Sequence, residues 1–144
     1  MPLQGSYCLC INLSNKIKLK IGNIGIIEFE SGKYIYVGSA LNSLKPRLIR
    51  HLKINKGLHK IQHWHIDYLL SSSSAKINQI YVKISSKHLE CSIAEKISDQ
   101  ASPIPKFGSS DCKCNSHLFK VDNFNILKKI GLRKLDLSQF PLFL

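Results

Sequence analysis

Acidic residues are scarce in this chain: nine Asp and Glu stand against 21 Lys and Arg, a formal charge of +12 over 144 residues. That shortage favours a polyanionic partner, nucleic acid ahead of a membrane surface, although a lysine-rich proteome would give the same imbalance. Long apolar runs are also absent. None approaches a membrane span, so no membrane association is expected. The start, Met1-Pro2-Leu3-Gln4-Gly5, lacks a basic region followed by an apolar one. No secretory signal is read there, and the expected location is the cytoplasm. Cysteines number only five, an odd count, which does not look like a disulfide framework without secretion. No internal repeat is visible. With 44% hydrophobic residues the composition argues against disorder. The length predicts a single domain over 1–144, with a core of about 5–131 and a tail, 132–144, left unplaced.

The patterning predicts a small α+β domain. Residues 6–13 form an apolar run of β character. Residues 16–21 alternate lysine with Ile or Leu, the signal of a half-buried strand, and the lysines suit an edge. Gly22-Asn23 reads as a two-residue hairpin turn, with the return over 24–30 and a further strand over 33–38, an antiparallel meander. Helices are predicted over about 43–53, 62–70, 86–98 and 122–129, and strands over 78–84 and 117–121.

The organising stretch is Lys33 to Ala40 running into Arg47-Leu48-Ile49-Arg50-His51. Tyr34 and Tyr36 share one face of a strand, with Ile35 and Val37 on the other. Ser43 suits an N-cap and Pro46 the first helical turn. Leu44, Leu48 and Leu52 make a buried stripe, with Arg47 and His51 on a neighbouring one. On the later helix, Leu89, Ile93, Ala94 and Ile97 define an apolar arc at about 100° per residue. Glu90 falls inside that arc, whereas Glu95 faces water. A carboxylate on a buried side needs a partner, and a metal or a lysine would serve.

Four blocks stand in order: Tyr36-Val37-Gly38-Ser39-Ala40, Arg47 to His51, His63-Trp64-His65-Ile66-Asp67-Tyr68-Leu69, and Ser109 to Phe119 with Cys112-x-Cys114. Together with Gly5-Ser6-Tyr7 they resemble the GIY-YIG nuclease superfamily. The closest resemblance is to a branch found mainly in archaea and some bacteria, alone or joined to an endonuclease III-type repair domain. The resemblance implies a small antiparallel sheet flanked by helices. It also implies metal-dependent hydrolysis of DNA phosphodiester bonds in one displacement, in repair or the processing of structured DNA, with RNA as a further polyanion. By that resemblance Tyr7 or Tyr36 would activate water, and Arg47 would clamp phosphate. His51 would assist by orienting water or relaying a proton. Glu90 would hold one Mg²⁺ or Mn²⁺. Gly108 stands where other members carry an asparagine, so Ser109, Ser110 or Asp111 would have to replace it. A non-catalytic nucleic-acid-binding module of the same fold is the alternative.

Each role has a plainer reading beside it. Tyrosines in strands are usually core residues with one hydrogen bond, and an arginine on a helix is usually solvated. Lys45, Arg50, Lys53, Lys56 and Lys60 flank Arg47 and suit phosphate contacts that carry little sequence information. His63 and Asp67 lie four apart on a predicted helix; Trp64 would stack on a base or fill the core. His63, His65, Asp67, Ser110 and Asp111 are candidates for supporting the centre. Cys112, Cys114 and His117 invite a zinc reading, with Cys91, His63 or His65 as a fourth ligand. Zn²⁺ is not favoured, because no second pair of ligands stands at finger spacing.

Overall fold

The computed structural model describes residues 4–40, 42–108 and 114–136. Strand β1 (Gly5–Leu13) lies at the centre of a six-stranded antiparallel sheet. Its neighbours are β4 (Gly32–Ala40) and β5 (Ala75–Ile84). A strand flanked on both sides and covered on both faces must be apolar throughout, which is why 6–13 reads as a continuous run rather than an alternation. Outside β4 come β7 (Leu118–Val121) and β6 (Ser102–Pro103); outside β5 comes β8 (Arg133–Lys134).

The meander expected for the first third is corrected. β2 (Ile17–Ile21) and β3 (Gly25–Phe29) pair only with each other, as a separate two-stranded ribbon. The chain leaves the main sheet after β1 and rejoins it at β4. The ribbon's inner residues Ile21 and Phe29 are buried. Its outer face carries Lys16 against Glu28 and Glu30, at 2.7 and 3.4 Å. Its turn is a 3-10 turn over Gly22–Ile24 rather than two residues, and Gly22 and Gly25 take positive φ there.

Two cores result from strand alternation. Tyr7, Leu9, Ile11, Tyr34 and Tyr36 face α1 (Leu44–Asn55) and α2 (His65–Leu70). Cys8, Cys10, Ile35 and Val37 face α3 (Glu90–Ser98) and α4 (Ile126–Lys129). In α1 the predicted stripe Leu44, Leu48 and Leu52 is buried, and Pro46 lies in the first turn. Ser43 sits at the N-cap position without a side-chain capping bond.

Helices α2 and α3 start later than predicted. Residues 62–64 stay outside the helix because Asp67 folds back to accept the N–H groups of His63 and Trp64, at 2.9 and 2.8 Å. The last helix is one turn, and Gly131, at φ 96°, follows its end. The tail left unplaced from the sequence contributes buried Leu132 and strand β8. Residues 137–144 lie outside the described residues.

Cys91 and Cys114 form a disulfide, although five cysteines without secretion did not look like a disulfide framework. The two are 23 residues apart, and only the docking of α3 beside β7 brings them together. Cys8 and Cys10 are free and buried.

Candidate active site

The site forms at one end of the sheet. Tyr7 stands near the start of β1, Gly38 and Ser39 near the end of β4, Arg47 in the first turn of α1 and Glu90 at the start of α3. These five residues, with Tyr36, Trp64, Gly108 and His117, line a cavity of about 290 Å³. The strand register explains the arrangement. Tyr7 lies opposite Gly38, and Leu9 lies opposite Tyr36, so the two phenols are diagonal neighbours on one face. A Cβ at position 38 would overlap the Tyr7 ring, so the glycine is what leaves room for the phenol.

Tyr7 is 1% exposed, and its hydroxyl is 2.6 Å from His51 Nε2. His51 is fully buried on α1. Burial lowers its pKa to about 3, with the charges of Arg50 and Arg47 acting in the same direction and Asp67 opposing. The ring is therefore neutral near pH 7. Its Nδ1 has no hydrogen-bond partner among the described residues. Burial raises the Tyr7 and Tyr36 pKa values well above the usual phenol range. For Tyr7, the nearby Arg47 charge and hydrogen bond oppose that rise; for both phenols, Glu90 reinforces it. Both phenols are protonated in the free protein.

Arg47 donates to the Ser39 carbonyl at 3.0 Å, and its guanidinium sits 4.5 Å from the Trp64 ring centre. Arg50, three residues on, behaves differently. It makes two bonds to the Asp67 carboxylate, at 3.0 and 2.9 Å, and stacks on Trp64 at 4.2 Å. Asp67 is fully buried. Burial raises its pKa, but Arg50 and the N–H groups of Trp64 and His63 overcome this and hold it below the ordinary carboxylate value. The structure thus gives Asp67 to Arg50 and to the His63 backbone, not to a histidine ring. Lys45, Lys53, Lys56 and Lys60 are exposed on and after α1.

His65 accepts the Gly108 N–H on Nδ1 at 2.8 Å, which ties α2 to the far wall of the cavity. Gly108 has φ 71°, and a side chain there would crowd Tyr36 and His117. His117 is nearly buried, and burial lowers its pKa while Glu90 opposes the change. His63 is exposed beside Trp64. Ser110 and Asp111 lie outside the described residues. The sequence reading did not foresee that Ser39 would anchor Arg47 or that His117 would face the cavity. The first involves only a backbone carbonyl, and the second depends on where β7 docks.

The sequence matches, over residues 6–136, the family described as a domain of unknown function, DUF123. The chain belongs to this family. No curated protein and no solved structure matches it. The match runs from β1 through β8, so the whole DUF123 unit includes every residue lining the cavity. Among the described residues of this DUF123 chain, no helix is long and apolar enough to cross a membrane.

Proposed function

We propose that this chain is a metal-dependent endonuclease of the GIY-YIG type, hydrolysing DNA phosphodiester bonds. The observation carrying this reading is the meeting of Tyr7, Tyr36, Arg47 and Glu90 around one cavity, with the Tyr7 hydroxyl bonded to a neutral imidazole. Arg47, held by Ser39 and Trp64, binds a phosphate oxygen and offsets its charge. Tyr7 orients the attacking water and takes its proton while passing its own to His51 Nε2. A bound phosphodiester brings negative charge to this pocket, which favours the protonated imidazole that the free protein disfavours.

The donor set suits a hard, hydrated divalent cation: one carboxylate, Glu90, on a cavity with space for several waters. Glu90 would hold Mg²⁺ or Mn²⁺, which when bound supplies charge neutralisation at the leaving oxygen. Exposed Lys45, Lys53, Lys56 and Lys60 extend the basic surface for flanking phosphates. DNA repair or processing of structured DNA is the biological setting this reading favours, in the cytoplasm.

Incubation with plasmid, nicked and flap substrates, with and without Mg²⁺ or Mn²⁺, tests the proposal. Cleavage is expected only with metal. Glu90→Gln is expected to reduce it by at least about 100-fold while leaving binding intact. Metal-independent cleavage, or full cleavage by Glu90→Gln, would overturn it. One observation favours the non-catalytic alternative: burial keeps both phenols protonated. That alternative expects salt-sensitive binding to DNA or RNA with no metal-dependent nicking.

A further inference from the structure

Sulfur and imidazole gather just behind the Glu90 wall of the cavity. Cys91 occupies the second position of α3, directly after Glu90. Cys114 and His117 lie three apart on the approach to β7. The Cys91 and Cys114 sulfurs and a His117 ring nitrogen all lie within 4.8 Å of one another. These are the donors zinc prefers. Donors around one tetrahedral zinc stand about 3.5–3.8 Å apart, given ~2.3 Å to sulfur and ~2.0 Å to nitrogen. The sequence alone offered no second ligand pair; docking of α3 on the second face supplies Cys91 from 23 residues away. The free cysteines among the described residues do not share this setting. Cys8 and Cys10 are sealed within the sheet, whereas Cys91 and Cys114 are both partly accessible.

We propose that Cys91, Cys114 and His117 form a zinc site when the two cysteines are reduced, and that the disulfide is the oxidised, metal-free form of the same site. The two forms exclude each other, because a sulfur bonded to sulfur is no longer a thiolate ligand. Conversion by hydrogen peroxide balances simply. Each thiolate gives up one electron and the S–S bond forms. The peroxide O–O bond breaks and, with two protons from solvent, yields two waters. The zinc ion leaves. In either form the start of α3 is fastened to the approach to β7, so Glu90 and His117 keep their places on the cavity wall.

The test needs no nucleic acid, so its outcome is independent of the nuclease proposal. The full chain is reduced, stripped with a chelator, checked for folding by circular dichroism, and titrated with Co²⁺ and then Zn²⁺. Thiolate-to-cobalt charge-transfer absorption is expected, saturating at one ion per chain and abolished by an equal amount of zinc. Cys91→Ser should weaken binding by more than about 100-fold, above the cost of losing an outer partner of a ligand. Cys8→Ala should leave it unchanged. Absence of the charge-transfer band in the folded, reduced protein would overturn the proposal, as would a band indifferent to Cys91→Ser. Hydrogen peroxide added to the zinc-loaded wild type gives a second measurement, valid even if that variant fails to fold. Zinc release to a chromogenic chelator, with loss of two thiols, is expected; zinc retained after those thiols are gone would refute the idea.

Discussion

The two faces of the central sheet come from the same strands, one residue out of phase, yet they carry different materials. The first face brings three phenols, a buried imidazole, a buried carboxylate and an arginine-stacked indole under α1 and α2. The second face is mostly apolar: Cys8, Cys10, Ile35 and Val37, with Tyr81 and Phe119, under Ile93, Ala94 and Ile97. A mostly apolar face asks chiefly for volume. A polar face asks for a partner at every donor and acceptor, and its members fail together when one is removed. The cavity opens where the two meet: α3 covers the second face, but its first residue reaches the chemistry of the first.

The contrast predicts unequal costs. Asp67→Ala should be the most damaging single change. It strips a partly buried guanidinium of its counter-charge and two backbone N–H groups of their acceptor, costing about 3 kcal/mol or more in urea unfolding. Gly38→Ala pushes the Tyr7 ring aside and should cost about 1–3 kcal/mol, together with the Tyr7–His51 bond, which NMR of the imidazole would register.

His51 gives the first face a strong pH dependence in acid; His117, at the cavity rim, is shifted in the same direction, and the buried thiols of the second face are shifted up, away from acid. The folded pKa of His51, about 3, lies below the ordinary ~6.5, so the unfolded chain binds a proton that the native one refuses. Stability is full above about pH 6.5 and falls as pH drops, by ~1.4 kcal/mol per unit. Denaturant curves for His51→Gln should be flatter across that window. Asp67, with its lowered pKa, adds its own loss only below about pH 4. The smallest effect belongs to the second face. Ile97→Val should cost about 0.5–1.5 kcal/mol at every pH in urea unfolding. A pH-dependent penalty there would dissolve the distinction between the faces.

How much of this was legible in the sequence follows from the range of each signal. Alternation in 33–38 and the four-residue leucine spacing in α1 are local, and the strand and helix appear where predicted. The faces of Glu90 and Glu95 were legible for the same reason: both lie on one helix, and Glu95 is exposed while Glu90 borders the cavity. Pairing is not local. Nothing in 5–32 says that β1 skips its neighbour in sequence to lie between β4 and β5. The two-residue strands β6 and β8 are too short to leave a period. The Arg50–Asp67 bond joins two helices whose charges, read separately, looked available to phosphate or to a histidine. The Cys91–Cys114 pair was illegible for that reason too, since spacing rules detect only neighbours in sequence.

The short outer strands have a consequence for crowding. Among the described residues, each end of the main sheet is only two residues long, and at one end both of them, Arg133 and Lys134, are exposed and positively charged. On the polyanion proposed above, copies lined up side by side would meet like charge where β8 covers β5, at Tyr81 and Val82. Wherever copies are concentrated, that charge opposes the zipping of one sheet onto the next.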